Sequence, residues 1–427
     1  MHQTQKESFY GWRVVAATFV LAVFGLGMGF HGPAVYLHAV VERTGWPLAL
    51  VSTAVTVHFL AGAMVVANLP ALYRHFGIPT VTKAGAVLLA VGVFGWAVAT
   101  VPWQLFAATL LSGAGWVTMG VAAINAIVAP WFDRSRPAAL AMAYNGGNLG
   151  GVVFSPLWAA AIAAVGFPVA AAGIGLVMAI TMWILADRVF SRTPQQMRSI
   201  QDGDAAGASA VSVTSPEAKP LPGSSLWRDA KFLTLSAGMA LGLFAQIGLA
   251  VHLFSLLVPA LGATRAGLAM ALVTAMAITG RSLIGWAMPA DADRRLMAAA
   301  SYAVQMIGCV LFMAADGTIV PLLLLGVILF GIGFGNGTWL PPLIAQVEFV
   351  GEDVPRVVAL MVAISQAAYA FAPVAFGMIR AFAPQADADP GAAPALFVVA
   401  GMLQGLAFCA FLAGRRRAPP TKCRLKA

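Results

Sequence analysis

Apolar residues run along this chain in blocks of about twenty, and polar residues collect in the short stretches between the blocks. Read in windows of about 19 residues, the pattern predicts helices near 12–40, 47–71, 80–100, 103–130, 137–165 and 167–187. A second set follows near 231–259, 265–290, 295–315, 318–347, 356–382 and 392–413. Between the sets, Arg188 to Ala230 carries Gln-Gln, Gly-Asp and Pro-Leu-Pro-Gly-Ser-Ser, the composition of a solvated, disordered linker. The expected plan is a bundle over 1–187, a linker over 188–230, and a second bundle with a short basic tail over 231–427.

Composition fixes the medium. Of 427 residues 60% are apolar and only 10% charged, against about 25% charged in soluble domains. That apolar share serves about twelve membrane spans of about 20 residues and leaves too little polar surface for a secreted or cytosolic enzyme. The class expected is an all-α membrane protein. Cys309, Cys409 and Cys423 form neither a disulfide framework nor a metal spacing. The polar start, Met1 to Tyr10, and the length of the first apolar run do not read as a cleavable signal peptide.

The net charge of +9 is explained by placement. Three cations (Arg43, Arg265 and Arg380) fall on one side of the predicted spans, and Arg281 falls within a span. The rest of the 25 Lys and Arg fall in the opposite loops, the linker and the two ends. By the positive-inside rule both termini are cytoplasmic, and no nucleic-acid partner is implied.

The chain also repeats. Gly113-Ala-Gly115, ahead of Trp131-Phe132 and Arg136-Pro137, recurs 218 residues later as Gly331-Ile-Gly333, ahead of Phe349 and Pro355-Arg356. Pro156 has a counterpart in Pro373. Two related six-helix halves joined by a polar linker are the plan of a rocker-switch carrier, with its site near the midplane between the halves.

On this plan the chain resembles the major facilitator superfamily over essentially its whole length. Within it, Tyr10-Gly11-Trp12-Arg13-Val14-Val15 resembles the start of the monocarboxylate transporter group and its bacterial relatives, the oxalate–formate antiporters among them. Trp131-Phe132 with Arg136, His252-Leu253 and Gly280-Arg281 are similar to further features of that group.

Arg281 lies near the middle of the eighth span, where an arginine costs at least ~2.5–3.5 kcal/mol on insertion scales. It is either a structural arginine tied to carbonyls or a fixed cation whose guanidinium takes both oxygens of a substrate carboxylate. The resemblance implies the second role. Ala277 stands where animal monocarboxylate transporters have an aspartate, and His31 stands within about a residue of their first-helix lysine. Gln366 and Tyr369 occupy the eleventh span where the oxalate–formate antiporters have a lysine. One fixed cation favours a singly charged substrate.

None of the 16 Asp and Glu lies at mid-depth, Glu348 at the end of the tenth span being nearest. Proton coupling, if present, falls to histidine: His31, His58 or His252. His31 is preferred because Gly29, Gly32 and Pro33 around it disfavour a regular helix. Each also has a bland reading as a hydrogen-bonded packing residue. Trp116, Gln246, Asn336, Trp339, Gln366 and Tyr369 at mid-depth, with Tyr144 and Asn145 toward the inner half, are candidate substrate contacts. Asn125 and Asn148 lie near the latter pair. The bland reading for the amides is interhelical hydrogen bonding.

The glycines Gly25, Gly27, Gly29, Gly146, Gly147, Gly150 and Gly151 are small-residue patterns for close helix approach. The fifth span, with Gly147-Asn148-Leu149-Gly150-Gly151 and a later Ser155-Pro156, lacks the Gly-Pro pair of drug-exporter antiporters. In the loops, Arg74 in Tyr73-Arg74-His75-Phe76-Gly77 and the trio Asp291, Asp293 and Arg294 are candidate gating contacts. No dinucleotide fingerprint, Walker loop or catalytic carboxylate pair appears, so no cofactor, metal or enzymatic activity is expected.

The function expected is alternating-access transport of a small organic anion, a monocarboxylate, across the inner membrane of a bacterium, with proton symport left open. The partners are that anion, the lipid bilayer and, if coupling exists, protons. The alternatives are a proton-driven exporter of amphipathic compounds, for which the intramembrane acid and helix-five signature are missing, and a transport-fold sensor.

Overall fold

The computed structural model describes residues 9–132, 135–194, 196–197, 225–288, 292–350, 353–382 and 391–415. Twelve helical spans follow in chain order. Spans 1 to 6 are Tyr10–Thr44, Leu48–Phe76, Ile78–Val98, Pro102–Trp131, Arg136–Val165 and Phe167–Phe190. Spans 7 to 9 are Ala230–Leu261, Ala263–Ala287 and Arg294–Ala315. Span 10 is Val320–Phe334 with Leu340–Glu348, span 11 is Val354–Tyr369 with Ala372–Ala381, and span 12 is Pro394–Ala413. Span 6 runs past the expected boundary at 187, through a π-helical turn at Ala186–Phe190. The core of the expected linker, 198–224, lies outside the described residues.

The sequence starts and stops these helices for simple reasons. Spans 3, 4, 6, 10 and 12 carry proline in the first turn, where its missing N–H and fixed φ cost nothing. Spans 5 and 6 are joined by Gly166 alone, at φ 79° and ψ 157°, and spans 7 and 8 by Gly262 alone, at φ 74° and ψ 159°. That region of backbone space is open essentially to glycine only.

Four spans are interrupted. Span 1 contains a π-helical segment, Gly27–His31, where the sequence places Gly29, Gly32 and Pro33. Span 4 passes through a 3₁₀ turn, Val117–Met119, and an extended Gly120. Span 10 leaves the helix from Gly335 to Trp339, and span 11 is bent at Ala370 and Phe371. The breaks in spans 4 and 10 obey the repeat, since Val117 and Gly335 are also 218 residues apart. Span 10 was expected to be continuous over 318–347. Hydropathy does not register its break, because Gly335 to Trp339 lie inside an otherwise apolar window.

Small residues bring the helices together, as expected where lipid tails compete with side chains for apolar contact. A Cβ at Gly146 or Gly150 would collide with the span 1 carbonyls of Phe19 or Val23. One at Gly280 would meet the Ile332 carbonyl of span 10.

Spans 1–6 and 7–12 form two bundles that meet at one end only. Contacts between them join span 5 to 8, span 2 to 11, and the second half of span 1 to 7. They include Gly267 on Pro156 and Ala159, Gly377 on Ser52, and a hydrogen bond from Val374 N–H to Thr56 Oγ1 (3.1 Å). All these residues lie toward the end away from the termini. There the apolar core is continuous across the bundles. At the terminal end it splits: Phe232, Leu235, Tyr302, Ile344 and Phe411 pack in a cluster drawn from spans 7–12, whereas Leu69, Val81 and Ala123 pack in one drawn from spans 2–4. The molecule is sealed at the loop end and divided at the terminal end.

A Cβ added at Gly262 has no heavy atom within 4 Å, so Gly262→Ala tests backbone strain free of collision. We expect a loss of about 1–3 kcal/mol, seen as a lowered melting temperature of the purified protein. Unchanged melting would mean the span 7–8 turn does not depend on this conformation.

Candidate functional site

Spans 8 and 10 approach so closely that a Cβ at Gly335 would collide with the Ala277 carbonyl. At that point span 10 ends its helix, and the Gly335 carbonyl turns toward span 8. Arg281 Nε donates to it at 3.1 Å. The guanidinium is half-buried, and neither terminal nitrogen has a partner among the described residues. One edge of the arginine is thus fixed by protein while the other remains open. A planar fork in that condition suits a carboxylate accepting two parallel hydrogen bonds.

Around Arg281 the break in span 10 collects polar side chains. Asn336, 2% exposed, donates through Nδ2 to the Ile332 carbonyl (3.1 Å), while its Oδ1 has no partner. Gln246 of span 7, 1% exposed, lies against Gly337 with both amide atoms unpartnered. The Trp339 ring packs on Gly285, one turn beyond Arg281 on span 8.

Across the interface, Trp116 sits at the break in span 4. Its ring stacks on His58 (6.1 Å, 12°) and meets Phe30 and Phe59, each at 6.2 Å. Its indole N–H is buried without a partner. Tyr369, with Gln366 beside its hydroxyl, closes the interface with its ring edge-on to Phe59 at 6.1 Å.

A central pocket lies between the bundles, lined by Phe30, His31 and Phe59 from one side and Met270, Thr274 and Phe334 from the other. Thr274 precedes Arg281 by seven residues on span 8, about 10 Å along the helix.

The three histidines differ in their surroundings. His58 is fully engaged: Nδ1 pairs with Ser112 Oγ (2.9 Å) and Nε2 with the Gly29 carbonyl (2.8 Å). His252 pairs through Nε2 with the Pro373 carbonyl (3.1 Å). The His31 ring packs on Gly151 beside Thr274 and forms no hydrogen bond with a described residue.

Tyr144 and Asn145 separate. The Tyr144 hydroxyl accepts from Asn125 Nδ2, joining spans 5 and 4. Asn145 falls on the outer stripe of span 5 with exposed Met142, Leu149, Val153 and Leu157. The structure does not bring it to the other polar residues.

Among the candidate gating residues, Arg74 is exposed, and Asp291 lies outside the described residues. Arg294 donates to the Leu343 carbonyl (2.8 Å). Asp293 caps span 9 by accepting from Leu296 N–H (3.0 Å), and Arg415 Nε binds its other oxygen (2.6 Å). Partial burial pushes the Asp293 carboxyl up, but the hydrogen bonds from Leu296 and Arg415 and the Arg415 charge outweigh it and hold the group below its ordinary value.

The strongest ionic contact at this end had not been foreseen. Arg295, 2% exposed, meets Glu348 through Nε–Oε1 (2.6 Å) and Nη2–Oε2 (2.8 Å). It also reaches Thr234 Oγ1 (3.1 Å) and the Lys231 carbonyl (3.0 Å). One residue therefore ties the terminal ends of spans 7, 9 and 10. Glu348 was visible in sequence as the acid nearest a span; helical phase decides that Arg295, and not Arg294, turns inward to meet it.

Twelve spans in two bundles, broken at matched places around a central pocket, define a multi-pass carrier of the alternating-access type. The chain belongs to the Major Facilitator Superfamily, which it matches over residues 17–373. No curated protein sequence matches it. The fold is similar to that of the nucleoside transporter NupG (14% identity, TM-score 0.70, covering 95% of this chain and 98% of that one). It is also similar to a D-xylose-proton symporter (15%, 0.68, 97% and 99%). A bacterial homolog of the human lysosomal transporter Spinster, in an inward-facing, unoccupied conformation, is a further likeness (15%, 0.63, 95% and 95%). At these identities the likeness is one of fold. The protein is a transporter.

Arg295→Met strands Glu348, whose side chain is 16% exposed. Breaking a buried pair in this way costs about 3–5 kcal/mol, so a large drop in melting temperature is expected. The double variant Arg295→Met/Glu348→Met should recover part of it. Equal losses in the single and double variants would show that the ion pair itself contributes nothing.

Proposed function

We propose that this transporter carries a small organic monocarboxylate, held at its charged end by Arg281. The observation that supports this most directly is the free edge of the guanidinium: Nε is committed to the Gly335 carbonyl, and among the described residues both terminal nitrogens are open. Among the described residues the ion pairs Lys83–Asp187, Arg295–Glu348 and Arg415–Asp293 and the His38–Glu42 contact all exclude Arg281, so none of them neutralises it. Ala277, one turn earlier, is apolar. A cation at mid-depth with no acid beside it favours an anion as ligand. The aromatic surfaces of Trp339 and Trp116, with the apolar pocket near Phe30 and Phe59, suit a compact apolar body. Two transporters of similar fold are named for nucleosides and D-xylose and lend no support to an anionic substrate, so the reading rests on Arg281 and its surroundings.

In this reading the bundles over 1–187 and 231–427 rock about the central pocket. With both termini cytoplasmic, as the loop charges favour, the sealed loop end faces outward and the divided end faces the cytoplasm. The conformation is then inward-open. His31, unpaired in the pocket, is the group assigned to proton coupling, with Gln246, Asn336, Gln366 and Tyr369 as further contacts.

The test is uptake by purified protein in liposomes across a panel of carboxylates, with and without a pH gradient. Arg281→Gln should lower uptake efficiency by on the order of 100-fold, as loss of one partner of a buried charge pair does, while melting is preserved. Arg281→Lys, which keeps charge but loses the fork, should fall between. Undiminished uptake by Arg281→Gln would overturn the anion site. Wild-type uptake indifferent to the gradient would remove the coupling role of His31.

A further inference from the structure

The π-helical segment of span 1, Gly27–His31, inserts an extra residue into a turn and disturbs the register of backbone hydrogen bonding around it. Within a bilayer a carbonyl displaced in this way has no water to turn to. Two side chains bond to carbonyls of the segment. The Tyr36 hydroxyl donates to the Met28 carbonyl at 3.1 Å, and His58 Nε2 lies 2.8 Å from the Gly29 carbonyl. Tyr36 reaches back because Gly32 has no side chain; a Cβ there would collide with the Tyr36 hydroxyl.

The proton on His58 is located by its partners. A carbonyl only accepts, so Nε2 carries the hydrogen. On the neutral ring, Nδ1 then accepts from the Ser112 hydroxyl at 2.9 Å. Ser112 Oγ in turn accepts from Trp96 Nε1 at 3.1 Å. A directed chain of donors thus runs Trp96 to Ser112 to His58 to Gly29, crossing spans 3, 4, 2 and 1, with His58 only 1% exposed. Releasing the Nε2 proton would orphan the Gly29 carbonyl, whereas the Ser112 hydroxyl has a second acceptor for its own hydrogen in the Thr109 carbonyl at 3.3 Å. The ring is held as a donor to the Gly29 carbonyl.

His31 is the last residue of the π segment, and its ring lies against Gly151 and beside Thr274 in the pocket. Successive residues of a helix are offset by about 100°, so losing the inserted residue would swing His31 away from that face. We infer that His58 and Tyr36 are positioning residues: by capping the Gly29 and Met28 carbonyls they hold the π segment of span 1 and aim His31 into the central pocket. The inference deepens the reading given under Proposed function, because it takes His31 as a residue of the transport site. It also separates two histidines of like depth, one free in the pocket and one holding the backbone that presents it.

The experiment is chemical modification of His31 by diethyl pyrocarbonate in the purified full-length protein in nanodiscs, read by peptide mass spectrometry. Melting temperature and liposome uptake are recorded alongside. His58→Leu and Tyr36→Phe should each lose modification at His31. His58→Gln, whose amide N–H lies near the position of Nε2, should restore it and leave the pH profile of uptake as in wild type. Tyr36→Phe serves as the second probe should His58→Leu fail to fold. Unchanged modification in Tyr36→Phe and folded His58→Leu overturns the inference, and so does a His58→Gln protein that behaves like His58→Leu or loses its pH dependence. Lost modification with undiminished uptake upholds the positioning of His31 and removes His31 from the transport site, so the two readings fail separately.

Discussion

A backbone carbonyl without a partner in the hydrocarbon core costs several kcal/mol, and the interior of this protein is arranged around that cost. An unbroken helix avoids it, yet unbroken helices build neither a pocket nor a hinge. Where the chain departs from the α-helix, side chains reach the exposed backbone groups. Arg281 meets the Gly335 carbonyl, His58 and Tyr36 meet the Gly29 and Met28 carbonyls, and His252 meets the Pro373 carbonyl. Thr56 accepts from the Val374 N–H next to it. Several polar residues of the membrane interior thus serve the backbone at the breaks.

This sorts residues that share a depth and a type. A histidine or arginine in a span is expensive, and the sequence alone leaves open whether a backbone group or a ligand offsets the cost. Among the described residues, His58 has both ring nitrogens engaged by protein, His252 has one, and His31 has neither. Arg281 is divided within one side chain, Nε serving the break and the terminal nitrogens left over. The carbonyl reading of Arg281 is met through Nε, and the anion reading proposed above would use the terminal nitrogens that this bond leaves over.

What was legible in sequence follows from which signals are one-dimensional. Span number and order follow from apolar run length, so all twelve spans appear near their expected places. Irregularity at His31 was legible because Gly29, Gly32 and Pro33 are local signals. The Gly113–Gly115 and Gly331–Gly333 repeat lies just ahead of the two matched breaks, though in sequence it marked only two related halves. Helical phase was not legible in the same way. Tyr144 and Asn145 are neighbours in sequence but face different surroundings in space, and the buried Arg295 was indistinguishable from Arg294. The span 10 break escaped because hydropathy measures side chains, whereas a break belongs to the backbone.

The seal at the loop end shows how such a structure remains able to move. It is made of small-residue contacts such as Gly267 on Ala159 and Gly377 on Ser52, a bond from the Val374 backbone N–H to Thr56 Oγ1, and ring contacts such as Phe59 on Tyr369. The ion pairs Arg295–Glu348 and Lys83–Asp187 each lie within one bundle, so rocking need not break either. Strong links are thus spent on keeping each bundle rigid, and many weak ones on the interface. Under the anion reading, closure of the divided end over Arg281 would strip water from two unpartnered guanidinium nitrogens, a penalty of several kcal/mol for an uncompensated charge. A bound carboxylate removes most of that penalty. The same open fork that recognises the anion would then make closure easier when loaded than when empty, which favours exchange of one anion for another over return of the empty carrier.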